Sequence, residues 1–160
     1  MFVSIHASKK KETLVRYLNI AQRLVVEIKT YVDSFEEIDD YLIRLQELSN
    51  EGYLIITKAN NIVVEDIISY IDRTELLIKG FSLYKSLTEY LEVIVQVKNI
   101  EEKTFLNFCS DIREIIKGIL KNKRQDLYNI KRLLGNQLKQ EKIKNIVNKY
   151  EQKLAYDEII

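Results

Sequence analysis

Apolar residues recur along this chain at helical spacing. Leu14, Leu18, Ala21, Val25, Ile28, Val32 and Phe35 step by four and three in alternation, the period of one helix face. The stretch "DSFEE" interrupts the seam, and Ser34 with Glu37 three residues later has the form of a capping box. Either one long helix bends there or two helices abut. Ile38, Tyr41, Leu42, Leu45 and Leu48 carry a second seam as far as "SNEG", where Asn50 or Gly52 suits a left-handed cap.

The following "GYLIITKANNIVVEDI" is ambiguous. Tyr53 to Thr57 and Ile62 to Val64 are runs of β-branched and aromatic residues, and "KANN" between them is turn-like. The pattern favours a short β-hairpin or an extended connector at 53–64 over continuous helix, because "KANN" breaks the apolar stripe. Helical spacing resumes with Ile67, Ile71, Leu77, Ile78 and Phe81, and Gly80 and Ser82 mark a break. Tyr84, Leu87, Leu91 and Ile94 form the next seam, and Asn99 with Glu102 is a further cap signal. Phe105, Phe108, Ile112, Ile115 and Ile119 follow, then Leu127, Ile130, Leu134 and Leu138, then Ile143, Val147, Tyr150 and Leu154. Gly135-Asn136 is the one weak point after Asn99. The expectation is an all-α fold, a bundle of about five to six amphipathic helices, in a single helical domain over residues 1–160.

Composition strengthens the helical reading. The 160 residues include no proline and four glycines. Those residues punctuate turns, so a chain so poor in them has few turns. One cysteine, Cys109, excludes an internal disulfide framework, and with one histidine, His6, the Cys/His zinc patterns are excluded too. "MFVSIHASKKKET" holds no apolar run of signal-peptide length, and no stretch reaches transmembrane length. A soluble cytoplasmic protein with no membrane association is expected.

Charge is nearly balanced overall, at +1, but unevenly placed. Residues 33–102 hold fifteen acids and six bases, whereas residues 117–153 hold eleven bases and three acids. The acidic middle either packs beside the basic tail or the two meet different partners. On a helical projection of about 100° per residue, Ile116, Leu120, Leu127, Ile130, Leu134 and Leu138 share a stripe. Lys117, Lys121, Arg124, Lys131, Arg132 and Lys139 fall together on the flank beside it, with Tyr128 at their centre and Asp126 opposite. Such a face suits phosphate: the bases neutralise backbone charge, and an exposed tyrosine stacks on a base or sugar. The competing readings are a solvated helix face with Tyr128 packed at the stripe's edge, and a dock for an acidic protein. A helix followed by "GYLIITKANNIVV" also has the order of a recognition helix and wing, although "SFEEIDDYLIRLQELSN" is too acidic to suit DNA.

Signals for catalysis are weak. His6 stands alone near the start. Cys109 follows Phe108 on an apolar stripe and reads as a small core residue. Glu36, Asp39 and Asp40 share a face away from the seam, as solvated carboxylates do more often than magnesium ligands. There is no phosphate-cradling glycine loop, nucleophile elbow or HExxH. The chain is expected not to be an enzyme, to need no cofactor or metal, and to take no small-molecule substrate.

The stretch "LYKSLTEYLEVIVQVKNIEEKTFLNFCSDIREIIKGILKNKRQDLYNIKRLL", residues 83–134, resembles the helical domain of GINS replication-complex subunits. The likeness lies in the aromatic-led helix "LYKSLTEYL" and in a second helix with an Ile-Arg start and a later arginine and leucine, "IREIIKGILKNKRQDL". It covers about a third of the chain. For the family's small β domain only Tyr53 to Val64 offers a remnant. The resemblance implies a non-enzymatic scaffold joining a helicase to its partners, with Arg113 and Arg124 at the matched positions. Two functions are therefore expected in competition: an interaction or scaffold subunit of a larger assembly, which the resemblance sets in DNA replication and which meets a protein partner or itself through helix faces, or a nucleic-acid-binding protein using the basic face of 117–153.

Overall fold

In the computed structural model the backbone is described from residue 2 to 159 and the side chains from 14 to 153. Four helices occur among these residues: α1 (Phe2–Asp33), α2 (Asp40–Asn61), α3 (Ile67–Lys98) and α4 (Glu102–Ile159). Each packs on two neighbours, α1 on α2, α2 on α3, α3 on α4 and α4 back on α1. Short connections make the neighbours antiparallel, the up-down-up-down bundle. The fold is all-α as expected, with four helices where the seams predicted five to six. No helix among the described residues is long and apolar enough to cross a membrane.

Each break has a local cause. After Asp33, α1 closes with Ser34 N–H on the Tyr31 carbonyl at 3.2 Å. Asp39, not Ser34, caps α2: the Leu42 N–H donates to Asp39 Oδ1 at 3.1 Å. The capping box lies further on, at Asp66 and Ser69. There the Ser69 N–H donates to Asp66 Oδ1 at 2.8 Å and the Asp66 N–H to Ser69 Oγ at 3.1 Å. Asn99 ends α3 in the left-handed region, φ 52°. It is the stop of one helix rather than the start of the next.

The hairpin expected at 53–64 does not form, and with it go the wing and the β remnant. Residues 53–61 stay helical because Gly52, Ile55, Ile56 and Ala59 are buried and continue the inward face of Leu45 and Leu48. Core packing overrides the β preference of the local residues. Ala59, inside the turn-like "KANN", is fully buried, so the stripe was continued by a small residue rather than broken. Gly52 is no helix end. Tyr84 of α3 lies across it so closely that a Cβ there would stand 2.8 Å from the ring. Gly80 likewise sits mid-helix on a buried face. Residues 62–66 form the connector.

One hydrophobic core draws on all four helices, including Leu24 and Ile28 of α1, Leu45 of α2, Leu91 of α3 and Ile112 and Ile115 of α4. Tyr84 is 1% exposed, and its hydroxyl has no hydrogen-bond partner among the described residues. Burial raises its pKa well above the ordinary value. A buried hydroxyl left unpaired carries a desolvation penalty of about 1–3 kcal/mol. Tyr84→Phe should therefore raise the denaturant midpoint, a gain of up to that size measurable in urea titrations.

Candidate interaction surface

Helix α4 changes character along its length. Phe108, Ile112, Ile115 and Ile119 face the core. The same inward spacing then continues through Asn122, Asp126 and Asn129, which are 3%, 1% and 7% exposed. Here the helix turns polar residues inward. Arg73 from the second turn of α3 meets Asp126 in a bidentate pair, Nε to Oδ2 at 2.8 Å and Nη2 to Oδ1 at 2.7 Å. The two parallel bonds fit the planar fork of the guanidinium to the carboxylate. Asn122 Nδ2 has no partner among the described residues.

This polar seam rotates the apolar stripe away from the core, a correction to the projection drawn from sequence. Leu127 is 43% exposed, and Leu134 and Leu138 are exposed as well; Ile116, Leu120 and Ile130 are half-buried at the stripe's edge. From Asn136 to Lys153 every residue is exposed, so α4 leaves the bundle as a single arm. Its length beyond Leu133 is roughly 40 Å at about 1.5 Å per residue. Ile143, Ile146, Val147 and Tyr150 stand exposed on it. The five-residue step from Leu138 to Ile143 turns the apolar stripe by roughly 140° at the arm's middle.

The basic residues singled out in the sequence all lie on α4 and are all exposed: Lys117, Lys121, Arg124, Lys131, Arg132 and Lys139, with Tyr128. They occupy an arc of roughly 100° on the side opposite the polar seam. Tyr128 is 68% exposed, so it is not a core residue. Lys117 pairs with Glu114 on its own helix at 3.8 Å. The other five bases make no ion pair with a described residue. Among the described residues, then, the acidic middle does not neutralise this face. Arg113 and Arg124 are both exposed on α4.

Residues considered for catalysis are placed as follows. His6 falls outside the described side chains. Cys109 is half-buried, and burial, aided by the charge of Glu92, raises its thiol above the ordinary value, away from a reactive thiolate. Asp39 caps α2 and pairs with Lys98, while Glu36 and Asp40 are exposed. Among the described residues no three His, Cys, Asp or Glu side chains gather to hold a metal ion.

A second cluster sits between α1 and α4. Arg23 Nη2 meets Asp111 Oδ1 at 2.7 Å and Arg23 Nε meets Glu27 at 3.4 Å. Burial, then the hydrogen bond and charge of Asp111, push the Glu27 carboxyl up to about 7 against the pull of Arg23. Folded Glu27 thus keeps a proton that the unfolded chain, at the ordinary 4.5, has released. Between those values the folded state binds more protons, so stability falls as pH rises through this window. Melting curves from pH 4.5 to 8 should show that decline, and Glu27→Gln should flatten it.

A reading that turns apolar residues inward conceals the polar seam and the outward turn of Leu127. The signal was present in the regular steps from Ile119 to Asn122, Asp126 and Asn129. No family model, curated protein or solved structure matches the chain.

Proposed function

We propose that this chain is a non-enzymatic helical interaction subunit of a larger assembly, and that the α4 arm beyond Leu133 is its docking element. The observation that carries this reading is the unbroken exposure from Asn136 to Lys153 of a helix bearing Leu138, Ile143, Ile146, Val147 and Tyr150. Apolar residues gathered on an exposed helix mark an interaction face. A setting in DNA replication rests on the GINS-like stretch alone. A nucleic-acid reading is favoured by one feature, the uncovered bases around exposed Tyr128.

Purification of the tagged protein from its native cells tests the choice. Wild type should retain a protein partner that the double variant Leu138→Asp, Val147→Asp loses. Equal retention by both would overturn the docking element. Recovery of nucleic acid that is lost in high salt, and lost when Lys121, Arg124, Lys131 and Arg132 are changed to glutamate, would instead establish the second reading.

A further inference from the structure

Helix α3 has no single apolar stripe: apolar residues stand on its outward side as well as its inward side, among its charged ones. The outward ones lie open. Ile71 and Ile78 are 40% and 48% exposed, and Val93 is 38% exposed. They share that face with Glu75, Ser82 and Glu89, at steps of four, three, four, seven and four. Glu75, Glu89 and the adjoining Glu92 are exposed, outnumber the one exposed base on this face, Lys85, and make no ion pair with a described residue. This is an acidic face with apolar anchors. The α4 arm is its converse: apolar anchors flanked by Lys139, Lys142, Lys144, Lys149 and Lys153 against Glu141 and Glu151.

Resting on the reading of the arm as the docking element, we infer that its occupant is a second copy of this chain, with each arm laid along the outward face of the other copy's α3. Length and direction agree. At about 1.5 Å per residue α3 runs roughly 50 Å and the arm roughly 40 Å. The Arg73–Asp126 pair joins the second turn of α3 to α4 just before the arm departs, so the arm leaves from the end where α3 begins. Two copies meeting at those ends pass their arms along each other's α3. The contact is reciprocal and closes on itself as a two-fold dimer, without a growing chain. Opposite charges set the pairing, and apolar anchors on both sides hold it.

A charge swap tests this on the full-length protein. Wild type should sediment at twice its 19.0 kDa mass at low ionic strength, and the dimer should weaken as salt is added. The variant Lys142→Glu, Lys144→Glu, Lys149→Glu and the variant Glu75→Lys, Glu89→Lys, Glu92→Lys should each be folded by circular dichroism and monomeric. Their dimer affinity should fall by at least about 100-fold, since most pairings between arm and face become repulsions. Mixed together, the two should dimerise again, because each arm then meets a face of opposite charge. A monomeric wild type overturns the inference, as do variants that dimerise unchanged or a mixture that stays monomeric. If wild type is monomeric and its arm still retains a different protein, the inference fails while the docking element stands.

Discussion

Arg73→Met should destabilise the protein by about 3–5 kcal/mol, because it leaves the Asp126 carboxylate buried without its partner. Asp126 is 1% exposed, and the Arg73 side chain is 16% exposed. Water therefore cannot replace the two hydrogen bonds that the guanidinium supplies. Asp126→Leu should cost less, since the remaining cation can reach solvent along its stem. The double variant Arg73→Met, Asp126→Leu should recover most of the loss, because an apolar pair of similar volume suits a bundle interior at least as well as an ion pair. Urea unfolding of the three variants gives the coupling energy by a double-mutant cycle. A single Arg73 variant as stable as wild type would show that the pair contributes nothing to holding α3 on α4.

The second large effect is expected at Gly118, where α1 crosses α4. A mid-helix Gly→Ala change ordinarily stabilises by about 1 kcal/mol. Here the sign should reverse. The ring of Tyr17 lies on the glycine, and a Cβ at 118 would fall 1.9 Å from its Cδ2. The obstacle is the base of the ring, which moves only if the side chain or all of α1 moves. Overpacking of this kind costs about 1–3 kcal/mol, occasionally more. Gly118→Ala should lower the melting temperature, and Gly118→Leu should lower it further. Tyr17→Ala in the Gly118→Ala background should restore part of the loss. If Gly118→Ala stabilises instead, α1 does not pack on α4 as closely as this contact requires.

The sequence was most legible where apolar residues kept a helical step. The α1 seam from Leu14 to Val32 and the inward face of α4 from Phe108 to Ile119 were readable directly. Residues 53–61 were not, because their β-branched character is a local property. What keeps them helical is the burial of Ile55, Ile56 and Ala59 on the inward face, beside the point where Tyr84, more than thirty residues away, closes on Gly52. Glycine misled twice for the same reason: Gly52 and Gly80 look like punctuation, but each lies on a buried face where a neighbouring helix comes near. At the candidate surface the basic residues and Tyr128 were legible, since bases spaced on one side of a helix are seldom turned inward. The inward polar seam was hidden, because burial of Asp126 is sensible only once Arg73 of α3 stands beside it.

The closing of α1 against α4 sets an order on how the molecule is made. Three of the four helix pairings join elements adjacent along the chain, and contacts of that kind form early and fast. The fourth joins the first helix to the last: Arg23 and Asp111 are 88 residues apart. During synthesis α1 emerges first and has α2 alone to lean on. The side of it that will meet α4, including the ring of Tyr17, must wait in water until Gly118 has left the ribosome. The chain's most vulnerable interval therefore falls in its own translation, between the first helix and the last, and any change that slows α4 lengthens it.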